Sequence, residues 1–276
     1  MTKKEKPALI KILLWLFSVA TMIGLMILSG RFFEESSISL LIESAIIAAV
    51  TLIYLYLISG KKTFSFMFNK TGYTIRKLFP TLIVSIIFAL MGVLSFVFDR
   101  PPLNPNWIKD IALSAASFFF VGIYEEGCFR ACACDALLPA FKKSKHPFLL
   151  TAIVSGLVFG YVHVVSADFS DLQQTLQFFL KIANTALYGA AFMILYWKTR
   201  NLFALGFVHG LNDFIPDFID KLFLFRGQTN EATYTTGDSG TTIAYAVQLV
   251  IEILVLIYIY RKVGRKIDYQ KKLEEW

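Results

Sequence analysis

The sequence has little charge. Of its 276 residues 17% are Asp, Glu, Lys or Arg, against 56% hydrophobic, and mean hydropathy is +0.60. A water-soluble domain of this length needs polar surfaces that such figures exclude, so the chain reads as an all-α polytopic membrane protein. Cysteine is nearly missing: Cys128, Cys132 and Cys134 are the whole complement. An odd number at C-x3-C-x-C spacing excludes a disulfide framework or zinc ribbon and leaves small packing residues in a helix interface. Histidine is equally scarce, with His146, His163 and His209 only, and His146 lies before Pro147 in a basic loop without further pattern. There is no internal repeat, low-complexity tract or separate soluble segment, so residues 1–276 read as one integral membrane domain with a motif-bearing core at about 110–220.

What is present is a series of apolar runs. A span needs about 20 mostly apolar residues, and about eight candidates occur, at 9–28, 38–59, 81–98, 111–138, 148–165, 176–197, 202–219 and 242–260. The fourth is too long for one perpendicular crossing and predicts a tilt or a cytosolic extension. The seventh is the weakest, because His209, Asn212, Asp213 and Asp217 interrupt it. The first follows a basic start and, lacking a small-residue cleavage site, reads as a retained anchor. The net charge of +7 falls by topology. Lys and Arg crowd the N-terminus, the 60–80, 141–147 and 198–200 connections and the C-terminus; the alternate connections hold Arg31, then Arg100 and Lys109, then none, then Lys221 and Arg226. That bias predicts both termini in the cytoplasm and accounts for the basic pI without nucleic acid. Residues 61–79 mix bases with aromatics and are expected along the inner leaflet.

Ionisable groups within a span cost about 2.5–3.5 kcal/mol each, so they mark function by default. They collect on the fourth, fifth and seventh spans. In "VGIYEEGCFRACACD" (121–135), Glu126 and Arg130 at i,i+4 form an expected ion pair on one helix face. Glu125 is turned about 100° away and has no local cation, which suits proton transfer. The fifth span carries Gly156 and Gly160, a face for close helix approach, with Phe159 and His163 at i,i+4. The seventh repeats the pattern with Gly206 and Gly210 beside His209, and Asn212 and Asp213 follow at i+3 and i+4. Packing histidines and a membrane-edge ion cluster would explain each feature singly. Together they set two of the three histidines on glycine-faced helices beside an unpaired acid.

These residues, in this order, resemble the CPBP family, the CAAX prenyl endopeptidases and their bacteriocin-immunity-like (Abi) relatives. The family pattern is E-E-x3-R, F-x3-H and H-x3-N/D on three separate helices. This chain reads EEGCFR (Glu125, Glu126, Arg130), FGYVH (Phe159, His163) and HGLND (His209, Asp213). The resemblance implies an intramembrane endopeptidase acting on a peptide or membrane-protein substrate. Glu125 and His163 would activate water, His209 and the residue four positions later would stabilise the oxyanion, and Glu126 and Arg130 would be the structural ion pair. Here that last residue is Asp213, where many members have Asn, and a carboxylate donates a hydrogen bond only when protonated. Asp213 kept neutral, Asn212 rotated into place, or weakened activity are the three outcomes. No cofactor is expected; the alternative is zinc held by Glu125, His163 and His209.

The competing readings are a catalytically inactive binding or immunity protein of the same fold, and a proton pathway or transporter. The short basic chain suggests a bacterial cell membrane; substrate identity, prenylation and oligomeric state are not set by the residues. Gln177, Lys181 and Asn184 at i, i+4, i+7, with Gln248 and Glu252, either line a cavity or tie helices together.

Overall fold

An apolar segment in lipid can satisfy its backbone N–H and C=O groups only within itself, as an α-helix, and the described part of each of the eight expected spans is predominantly helical. The computed structural model describes residues 7–32, 36–164, 167–224 and 234–276. The extreme N-terminus, residue 165 at the end of the fifth expected span, and Arg226 lie outside the described residues. The helices are α1 (Ala8–Phe32), α2 (Ser37–Ser59), the short α3 (Lys61–Phe64), α4 (Thr71–Leu78), α5 (Leu82–Asp99), α6 (Trp107–Glu126), α7 (Ala133–Phe141), α8 (Pro147–Val162), α9 (Leu172–Thr199), α10 (Leu202–Leu222), α11 (Ser239–Lys262) and α12 (Tyr269–Leu273). Among the described residues there is no strand, only an isolated bridge between Leu103 and Phe223 that ties the entrance of α6 to the exit of α10.

Among the described residues, six stretches are long and apolar enough to cross a membrane: Ala8–Phe32, Ser37–Ser59, Thr71–Phe98, Trp107–Phe141, Leu172–Thr199 and Ser239–Lys266. Pro147–Val162 is apolar but shorter, and α10 is diluted by the polar side chains that weakened its sequence signal. The overlong fourth run is one helical stretch from α6 to α7, interrupted by a π-helical turn at Gly127–Cys132. Such a turn frees main-chain carbonyls from their usual partners. Here Trp15 Nε1 donates to the Cys128 carbonyl at 3.2 Å, and the Ser155 hydroxyl donates to that of Phe129. The three cysteines on this stretch are free and buried.

Two glycine-mediated crossings set the spacing of the polar helices. At the α6–α10 crossing, a Cβ on Gly122 would sit 2.0 Å from the Gly206 carbonyl oxygen, and one on Gly210 would sit 2.4 Å from that of Phe118. Any side chain there pushes the helices apart. At the α8–α9 crossing, a Cβ on Gly160 would lie 2.8 Å from the Ile182 carbonyl oxygen. Ser114 Oγ donates to Asp217 at 2.5 Å, which fastens α6 to α10 near their other end. Asn201 caps α10 by accepting from the Ala204 amide at 2.7 Å.

Candidate active site

Close approach of α6 and α10 brings the last turn of α6 against His209. The imidazole Nδ1 lies 2.6 Å from Glu126 Oε1 and Nε2 lies 3.2 Å from Glu125 Oε2. Asp213 Oδ2 is 3.6 Å from the same Nε2. Only a ring carrying hydrogen on both nitrogens donates to both glutamates. The contacts differ in kind: Nδ1 to Glu126 is a directed hydrogen bond, whereas Glu125 Oε2 is buried with no directed partner among the described residues.

Glu126 turns its second oxygen to Arg130, with Nε 3.1 Å from Oε2 and both side chains buried. This is the i,i+4 pair expected from spacing, but Nε points off the hydrogen-bond axis, so the contact is electrostatic. Arg130 also lies over an aromatic face, its guanidinium carbon 4.2 Å from the centroid of Phe159. Gly189 makes room for it, since a Cβ there would stand 3.1 Å from Arg130 Nη2. Glu126 thus spans two partners, and the His209 half of that role has no local signature, because the two residues are 83 positions apart.

His163 lies at the end of α8. Its Nδ1 is 2.7 Å from the Phe159 carbonyl oxygen. A carbonyl only accepts, so Nδ1 carries the hydrogen, and in the neutral ring Nε2 presents its lone pair. Phe159 stands between the histidines, its centroid 4.7 Å from His163 and 6.2 Å from His209, edge to face with each. No carboxylate is in ion-pair contact with His163 among the described residues, although Glu125 and His209 are within electrostatic range of it.

Asn212 and Asp213 part ways. The Asn212 amide is engaged away from the imidazole: Oδ1 accepts from Ser85 Oγ at 2.9 Å, and Nδ2 donates to the Tyr188 hydroxyl at 2.9 Å and the Val208 carbonyl at 3.1 Å. Asp213 faces His209 with a side chain 36% exposed. Gln177 bonds the Asp238 carbonyl and the Thr242 hydroxyl, and Asn184 bonds the Tyr245 carbonyl, so both tie α9 to the α11 side. Lys181, between them, sits over the Tyr234 ring at 4.1 Å and feels Asp213, Glu125 and Glu252.

Among the described residues no three His, Cys, Asp or Glu side chains are grouped so that they could hold a metal ion, and both nitrogens of His209 face carboxylate oxygens.

No curated protein and no solved structure matches the chain. A family model, that of the type II CAAX prenyl endopeptidase Rce1-like proteins, matches residues 105–215. That stretch runs from the entrance of α6 to beyond Asp213 and contains all three motifs and both glycine crossings. Over residues 105–215 this multi-pass membrane chain is similar to the type II CAAX prenyl endopeptidases.

Proposed function

We propose that the protein is an intramembrane endopeptidase in which Glu125 is the general base. The observation that carries this reading is Glu125 Oε2, buried beside His209 with no directed partner among the described residues. In the reaction, Glu125 takes a proton from water, helped by the free Nε2 of His163, and the hydroxide attacks the scissile carbonyl. The tetrahedral oxyanion accepts the N–H of His209 Nε2, and the proton on Glu125 passes to the departing amine. A placed base contributes about 10²–10⁴-fold, and one oxyanion donor about 10²–10³-fold. Glu126 is a positioning residue: by accepting from Nδ1 it turns Nε2 toward the reacting centre.

Asp213 rather than Asn212 completes the oxyanion side, since the Asn212 amide is spent on Ser85, Tyr188 and Val208. A carboxyl donates there only when protonated, so an aspartate at this position also favours a weakened or non-catalytic member of the fold. Asp213→Asn separates the two: a rise in turnover marks an enzyme limited by its donor, and no turnover in either form marks a binding protein. We further propose that both termini face the cytoplasm of a bacterial cell, and that substrates are peptides or membrane-associated proteins.

The deciding experiment incubates the purified protein in lipid nanodiscs with a peptide mixture that includes prenylated C-terminal peptides, and reads the products by mass spectrometry. Cleavage by wild type and none by Glu125→Gln is expected. Equal cleavage by both would sink the glutamate mechanism. Inhibition by a chelator with recovery on adding zinc would replace it with a metal-dependent one.

A further inference from the structure

We propose that a cleft over α9, between α8 and α11, holds one anionic phospholipid. The cleft has a volume of about 790 Å³, within the range of about 300–1,000 Å³ usual for ligand sites, and none of its lining residues belongs to the three motifs. Its floor is α9, with Ala190, Ile194 and Trp197; Leu149 and Ala152 of α8 form one wall, and Leu256 and Ile257 of α11 the other. Phe148, Trp197 and Tyr269 close one end and brace one another edge to face, with ring centroids 4.9–6.1 Å apart. The apolar part is therefore preformed and needs no rearrangement to admit a ligand.

Charge identifies the ligand. The closed end is the one where α8 begins and where α9 and α11 finish, and there Lys145, Arg261 and Arg265 line the cleft. All three are exposed, and none has an ion-pair partner among the described residues. Tyr260 and Tyr269 stand beside them, in the amphipathic position that aromatic rings take at a membrane–water boundary. Leu149 and Ile257 are 56% and 42% exposed, which in a multi-pass protein means they face lipid. An apolar trough open to lipid, ending in three exposed cations and two tyrosines, has the polarity of a diacyl phospholipid with a negative headgroup. The acyl chains lie along Ala190 and Ile194, and the phosphate meets Lys145, Arg261 and Arg265.

The full-length protein in detergent is given phosphatidylglycerol or phosphatidylcholine of identical chains, with bound lipid read by native mass spectrometry and stabilisation by thermal unfolding. One phosphatidylglycerol per chain is expected, about tenfold or more tighter than phosphatidylcholine. The K145Q/R261Q/R265Q variant should lose on the order of 100-fold in phosphatidylglycerol affinity. Ala190→Phe, which fills the floor and leaves the cations, should remove both lipids. A K61Q/K62Q/K70Q control, with the same loss of charge elsewhere, should bind as wild type. Equal affinity for the two lipids, equal loss in the control, or undiminished binding by Ala190→Phe each overturns the proposal. If the first variant does not fold, the lipid comparison on wild type and the Ala190→Phe result still decide it.

Discussion

Two buried carboxylate clusters occupy the helical stretch from α6 to α7, and they are completed in different ways. Asp135, in α7, has both oxygens filled. Ser59 and Thr63 hydroxyls donate to Oδ2, Arg200 Nη2 lies 2.8 Å from Oδ1, and Trp276 Nε1 donates to the same oxygen. The Arg200 guanidinium is stacked in turn on Trp276 at 4.6 Å. At the end of α6 the pattern is reversed, with Arg130, one turn further on, off-axis from its carboxylate and Glu125 Oε2 without a directed donor among the described residues. A buried carboxylate saturated with donors anchors helices; one left with an open lone pair costs stability, and such costs persist where reactivity needs them.

The sharpest way to break the contrast is to neutralise each acid. Glu125→Gln should lower turnover by about 10²–10⁴-fold, with a melting temperature at or above that of wild type, since an open carboxylate has been removed. Asp135→Ala should do the opposite, destabilising by about 3–5 kcal/mol because Arg200 is left buried without its counter-charge; thermal denaturation in detergent checks this. Next in size is Gly122→Ala. Its Cβ cannot coexist with the Gly206 carbonyl at 2.0 Å, and overpacking of this kind costs about 1–3 kcal/mol. Activity should fall further than stability, since the same shift draws Glu125 from His209, while Gly24→Ala, with nothing within 4 Å, should change neither.

The smallest effect belongs to a third acid, outside the membrane. Asp238 caps α11 and is pushed down to about 2 by hydrogen bonds from the Thr236 and Thr241 side chains. A carboxyl depressed in the folded state stabilises it fully above the ordinary aspartate range, near 4, and loses that contribution as pH falls through about 2. Hydrogen exchange of the first α11 amides should therefore quicken as pH is lowered through that window, after correction for the intrinsic rate, and Asp238→Ala should quicken it at neutral pH. Unchanged protection in the variant would mean that the cap holds nothing.

The helices were readable because lipid imposes one rule on every span, and length and apolarity report it directly. Gly206 and Gly210 were readable as an approach face for the same reason, since small residues at i,i+4 have few other uses in a span. Their partner Gly122 was not, although it lies one turn before the two glutamates, because a single glycine carries no periodicity. The Glu126–Arg130 pair followed from spacing. The Glu126–His209 bond did not, since only the glycine crossing creates it. Asn212 and Asp213 shared a helix face by arithmetic, and it took the positions of Ser85 and Tyr188 to divide them. Likewise Gln177, Lys181 and Asn184 form one stripe, yet α11 takes the outer two and the tyrosines take the lysine.

The π-helical turn at Gly127–Cys132 has a consequence for the tolerance of this segment to change in length. A wider turn accommodates one residue more than an α-helical turn would, so it sets the rotational phase between the end of α6 and the start of α7. Deleting one residue between Gly127 and Cys132 would let the stretch wind as a plain α-helix while Asp135 kept its phase relative to Glu125. Asp135 would still meet Arg200 and Glu125 would stay beside His209; what would be lost are the main-chain carbonyls of Cys128 and Phe129 that Trp15 and Ser155 now use. A single-residue deletion here should thus be milder than one in the α-helical turns on either side, which would rotate everything beyond it by about 100°.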